Sequence, residues 1–76
     1  MNWQDRITID NEVLAGKPII KGTRISVELV LDMLARGWND QQIIRQYDHL
    51  APEDIRACIA YASEMLKSER VYLMPT

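Results

Sequence analysis

Lys17, Lys21 and Arg24 gather positive charge into one short N-terminal stretch of this chain. An extended backbone there projects alternate side chains toward a common partner, so a phosphate or an acidic protein surface is the ligand such a cluster suits. Gly16-Lys17 and Gly22-Thr23 do not make a nucleotide phosphate loop, whose order is Gly-x-x-x-x-Gly-Lys-Ser/Thr, and the glycines are read as turn residues instead. His49 is the only histidine, and no neighbouring residues complete a metal ligand set or a nucleophile and base pair around it; it is read as a polar turn residue. Cys58, equally alone, can form no internal disulfide or two-thiolate metal site and is read as a buried structural thiol. Asp5, Asp10 and Glu12 would have to meet in a walled cleft to serve a metal nuclease, and this short chain has little structure with which to wall one. No catalytic set, metal or cofactor is therefore expected, and the chain reads as a binding protein, not an enzyme.

The elements that must position these residues are legible from periodicity and caps. Arg6-Ile7-Thr8-Ile9-Asp10 alternates polar and β-branched residues as a half-buried strand does, and Pro18-Ile19-Ile20-Lys21 is a second extended segment across a turn at Asn11–Gly16. Ser26 caps a first helix with Val27, Val30, Leu31 and Leu34 on its inner face, ended by Gly37, with Trp38 packing across the turn. Asn39 or Asp40 starts a shorter helix through Tyr47, Ile43, Ile44 and Tyr47 facing in. Pro52, Glu53 and Asp54 open a third helix, the longest, whose apolar stripe is expected to be Ile55, Cys58, Ile59, Ala62, Met65 and Leu66. Ala57, Ala60 and Tyr61 offer a second face, for dimerisation or for the same monomer's core. Helix two, a tight turn and helix three have helix-turn-helix spacing, with Arg56, Ser63 and Lys67 placed for backbone phosphates; against groove reading, Glu53 and Asp54 stand where the first residues would meet bases.

The chain has 76 residues, 47% hydrophobic and 26% charged, which suits one domain: an N-terminal β-arm or hairpin over 1–25, a mainly α, three-helix core over 26–70, and an apolar tail over 71–76. So small a core gains from oligomerisation, so a homodimer or a partner-bound form is expected. Net charge is −2, unlike the basic footprint of a stand-alone nucleic-acid binder, but residues 1–26 carry net +1 and would begin any phosphate contact. The N-terminus lacks the basic and apolar regions of a signal peptide, and no apolar run reaches the ~18 residues of a membrane span, so a cytoplasmic protein without membrane contacts is expected.

Val13-Leu14-Ala15-Gly16-Lys17-Pro18, Gly22-Thr23-Arg24-Ile25, Gly37-Trp38 and Pro52-Glu53-Asp54-Ile55-Arg56, in this order and at these intervals, resemble the domain-of-unknown-function family numbered 433, over about residues 6–70. Three positions depart from the pattern: Asn11 where the family commonly has proline, Ala15 where it commonly has glycine, and Ala51 where a hydroxyl residue often caps the third helix. The resemblance implies a homeodomain-like helix-turn-helix fold with a short N-terminal β-element, and an antitoxin role beside a PIN-like ribonuclease toxin.

On that implication the chain is expected to be an antitoxin-like homodimer that neutralises a PIN-like ribonuclease, with its own promoter DNA as a further target. Val71, Tyr72, Leu73 and Met74 would add as a strand or fill a groove on the toxin while Arg70 reaches the carboxylates holding the nuclease metal. The alternative is a stand-alone helix-turn-helix transcriptional regulator, with Lys17, Lys21, Arg24, Arg56 and Lys67 as the DNA contacts.

Overall fold

A computed structural model describes residues 2–68; Arg70, Val71, Tyr72, Leu73 and Met74, expected above to meet a partner, lie outside the described residues. After a one-turn 3-10 helix at Trp3–Asp5, strands β1 (Ile7–Ile9) and β2 (Pro18–Ile20) pair antiparallel in the register Ile7 with Ile20, Thr8 with Ile19 and Ile9 with Pro18. Three helices follow: α1 (Val27–Ala35), α2 (Asp40–Gln46) and α3 (Pro52–Ser68). The expected β-element is thus a two-stranded hairpin, and it packs against α1 and α3 instead of projecting as an arm.

The caps foreseen in the sequence form as hydrogen bonds. Ser26 Oγ accepts from the Leu29 N–H at 2.9 Å and opens α1. Gly37, at φ +96°, closes it, with the Gly37 N–H on the Leu34 carbonyl and the Trp38 N–H on the Met33 carbonyl, the paired bonds of a Schellman turn. Asn39 and Gln42 cap α2 reciprocally: the Gln42 N–H donates to Asn39 Oδ1 at 2.9 Å and the Asn39 N–H to Gln42 Oε1 at 2.8 Å. The turn between the strands is less relaxed. Leu14 (φ +49°) and Ala15 (φ +56°) both occupy the left-handed region before Gly16. Left-handed backbone costs a residue with a Cβ roughly 1 kcal/mol, so Ala15→Gly is expected to stabilise the chain by about 0.5–1 kcal/mol, read as a higher urea midpoint at unchanged slope. An unchanged or lower midpoint would show that the turn carries no such strain.

The core is one cluster joining hairpin and helices: Ile7, Ile20, Ile25, Val27, Val30, Met33, Ile43, Leu50, Ile55, Ala57 and Cys58 are buried, with Trp3, Leu31, Leu34, Trp38, Ile44, Tyr47 and Tyr61 packed at its edge. One reading of α3 needs correcting. Its apolar stripe does not stay inside: Ile55 and Cys58 are buried, but Ile59 is 48%, Met65 36% and Leu66 62% exposed. Two causes act. Ile59 follows buried Ala57 and Cys58 but is turned about 100° from Cys58, off the face that Asp54, Ile55, Ala57 and Cys58 bury, whereas Met65 and Leu66 lie in the last turns of a 17-residue helix that packs against helices of 9 and 7 residues. Ala57 and Tyr61, open to either role from the sequence, both pack within the monomer. Ala57 is fully buried, and Tyr61 meets Trp3 edge to face, ring centroids 4.8 Å apart at 86°, while the Trp3 indole N–H donates to the Glu64 carboxylate.

Candidate interaction surface

The three N-terminal cations do not converge. Lys17 is held by Glu28 of α1, Nζ to Oε1 at 2.9 Å, beside a groove that Lys21 does not line. Lys21 instead lines a separate open groove with Asp5, Arg6 and Asp54, and Arg24 stands exposed in the turn after β2. The hairpin accounts for this: residues four apart on either side of a short strand leave the sheet at opposite ends, so proximity in sequence does not become proximity in space. Arg56 and Lys67 are exposed on α3, and the helix period puts them on one outward face with Ser63 and with the carboxylate of Glu53. That face therefore carries mixed charge.

The best-connected polar group is one the sequence did not single out as a site. Arg6, just before β1, pairs with Asp54 of α3, Nη1 to Oδ1 at 2.9 Å, with side-chain exposures of 40% and 12%. The second oxygen of Asp54 accepts the Ala51 N–H at 2.9 Å. Asp54 thus caps the helix whose own cap position, Ala51, has no side-chain oxygen, and ties it to the hairpin. An acid three residues after a cap is readable as half of a capping box; nothing in the sequence pairs it with an arginine 48 positions away. One turn on, burial first and the Asp54 charge second push the Cys58 thiol up from 9.0 to about 12, so at neutral pH it is a packed thiol and not a thiolate nucleophile. Among the described residues no three His, Cys, Asp or Glu gather to hold a metal, and no helix is long and apolar enough to cross a membrane.

Ile59 and Leu66, two turns apart on one line of α3, are the largest apolar side chains this helix leaves to solvent. Beside that line on the same helix, Tyr61 and Ala62 form one wall of a groove of about 250 Å³ whose remaining apolar lining is Pro18, Val27 and Leu31. Open grooves, an exposed apolar line and paired surface charges are features of association surfaces. A three-helix protein with an N-terminal hairpin and such a surface is the class the geometry defines. The chain belongs to the family described as Protein of unknown function (DUF433), whose model matches residues 7–62. It is also similar to the crystal structure of a DUF433 member protein from Anabaena variabilis, at 28% identity and a TM-score of 0.78, over 86% of this chain and 64% of that one. The chain thus spans under two thirds of that protein's length. No curated protein matches it.

Proposed function

We propose that this chain is an antitoxin-like binding protein that seats a PIN-like ribonuclease toxin on the outward line of α3. The observation that carries the reading is the exposure of Ile59 and Leu66, at 48% and 62%, two turns apart on one line of α3. An amphipathic helix presenting apolar side chains two turns apart is a standard way to engage a groove on a partner, and the family resemblance supplies the partner's identity. In the complex, Val71, Tyr72, Leu73 and Met74 add as a strand or fill a groove on the toxin, and Arg70 reaches the carboxylates around its metal. The chain works as a cytoplasmic homodimer in this reading, and α2, the turn through Ala51 and α3 serve as its homeodomain-like helix-turn-helix.

Co-expression of the tagged chain with the product of the adjacent reading frame, followed by light-scattering mass and a ribonuclease assay, tests the proposal. A stable complex that suppresses cleavage is expected, and Ile59→Glu together with Leu66→Glu is expected to weaken it by about 100-fold or more, as loss of interface anchors does. Both positions are solvent-exposed, so the melting temperature of the free variant stays close to that of the parent. A complex that survives both substitutions overturns the seat; absence of any complex overturns the role.

The second reading, a stand-alone DNA-binding regulator, is favoured by Lys21, Arg24, Arg56 and Lys67, which form no ion pair among the described residues. It requires promoter binding by the lone chain that weakens steeply with salt. The exposed carboxylate of Glu53 in the first turn of α3 and the commitment of Asp54 to Arg6 work against it.

A further inference from the structure

Strand β1 has one neighbour among the described residues, since β2 lines one of its edges and the sheet holds these two strands. The register decides which backbone groups that pairing uses. The Lys21 N–H donates to the Arg6 carbonyl at 2.8 Å, so Arg6 with Lys21 and, two residues on, Thr8 with Ile19 are the hydrogen-bonded pairs. Ile7 and Ile9 alternate with them, and their N–H and C=O groups are directed away from β2. The same alternation is visible in β2, where the N–H of Ile20, the residue opposite Ile7, turns outward to the Ile25 carbonyl at 3.0 Å. The outer edge of β2 is thus covered by the chain entering α1, whereas no hydrogen bond among the described residues engages the backbone of Ile7 or Ile9. The side chains of these two residues share one side of the strand, yet Ile7 is 4% and Ile9 57% exposed, so the core ends between them.

We infer that this free edge pairs antiparallel with β1 of a second copy, joining two hairpins into one four-stranded sheet. The inference rests on the homodimer of the proposed function and gives it an interface. An edge strand with unpaired N–H and C=O groups is a template for another strand, and here charge and register choose the occupant. Arg6-Ile7-Thr8-Ile9-Asp10 is complementary to itself when reversed. With Thr8 of one copy opposite Thr8 of the other, Arg6 of each strand faces Asp10 of the other, and Ile7 of each forms a hydrogen-bonded pair with Ile9 of the other, which uses every outward backbone group of both residues. A slip of two residues in either direction leaves one isoleucine of each strand without an isoleucine opposite and parts the charges. Both charged groups retain capacity for this contact: Asp54 engages Arg6 through Nη1, leaving further guanidinium donors, and Asp10 accepts the Glu12 N–H through Oδ1, leaving its second oxygen. The exposed Ile9 side chain comes to lie beside Ile7 of the other copy. The pairing uses none of the α3 residues assigned to the toxin seat. Five residues a side make a small interface, so the dimer is expected to be half formed at roughly 10–100 µM.

The test is sedimentation and amide hydrogen exchange of the full chain without toxin, across protein concentrations on both sides of that range. Mass is expected to rise from one chain to two while exchange at the Ile7 and Ile9 amides slows by about 5-fold or more, with a smaller change at Thr8, whose N–H already faces Ile19. Ile9→Lys places a charge on the edge at an exposed position and is expected to keep the fold and stay a single chain throughout. Asp10→Asn preserves the acceptor for the Glu12 N–H, removes the charge, and is expected to weaken the dimer by about threefold. A dimer that survives Ile9→Lys, or that forms without slowing the Ile7 and Ile9 amides, overturns the edge pairing and leaves the homodimer to another surface; unchanged affinity in Asp10→Asn overturns the register. Slow exchange at the two amides that is independent of concentration overturns the inference by placing a segment of the same chain on the edge. A single chain at every concentration overturns the homodimer itself and this interface with it.

Discussion

Asp54→Ala is expected to destabilise the protein by about 2–3 kcal/mol, because a single carboxylate does two jobs. Its bond to the Ala51 N–H is the side-chain cap of α3, and losing such a cap costs roughly 1 kcal/mol. Its bond to Arg6 is charge-assisted and largely shielded on the Asp54 side, and removal leaves a half-buried guanidinium without its acceptor, at about 1–2 kcal/mol. For a domain of this size each kcal/mol is worth about 4–8 °C, so the melting temperature falls by roughly 10–20 °C. Arg6→Met removes only the second contribution and is expected to cost about half as much; the difference between the variants isolates the cap. A melting temperature for Asp54→Ala within a few degrees of the parent would show that neither bond contributes in solution.

Ile55→Ala should cost more, about 3–5 kcal/mol, since Ile55 is fully buried beside Ile43, Val30 and Cys58 where hairpin, α1, α2 and α3 share one core. A chain of this length has a total stability of roughly 4–11 kcal/mol, so the variant is expected to be largely unfolded at 37 °C and to show a lower urea midpoint at 25 °C. The neighbouring control is Ile59→Ala. It removes a similar volume from a position 48% exposed and is expected to change the midpoint little. Equal losses at the two positions would mean that Ile59 is covered in the free protein, and the outward line of α3 would lose its standing as a partner seat.

That contrast marks where sequence reasoning stopped. The 3.6-residue period groups Ile55, Cys58, Ile59, Ala62, Met65 and Leu66 on one helix stripe, but periodicity is silent on how far the opposing elements extend. Tertiary packing divides the stripe: Ile55 and Cys58 face the core, Ile59 stands at its flank, and Met65 and Leu66 lie in the last turns of a helix longer than α1 and α2. Likewise, the spacing of Lys17, Lys21 and Arg24 reads as a cluster, whereas β-pairing separates Lys17, beside Glu28, from Lys21, beside Arg6 and Asp54.

What this sequence determined by itself is what local chemistry controls: the two strands and the turn between them, three helices with the caps at Ser26, Gly37 and Asn39, a thiol packed inside at Cys58, and the motif order of the DUF433 family. Those signals lie within a few residues of one another, since a cap bond or a helical turn closes over three or four positions. Tertiary structure alone decided the Arg6–Asp54 link, the burial of Ala57, the Trp3–Tyr61 contact, and the exposure of Ile59 and Leu66. Each depends on which elements meet and where they end, and contacts between residues 48 or 61 positions apart leave no periodic trace in a single chain.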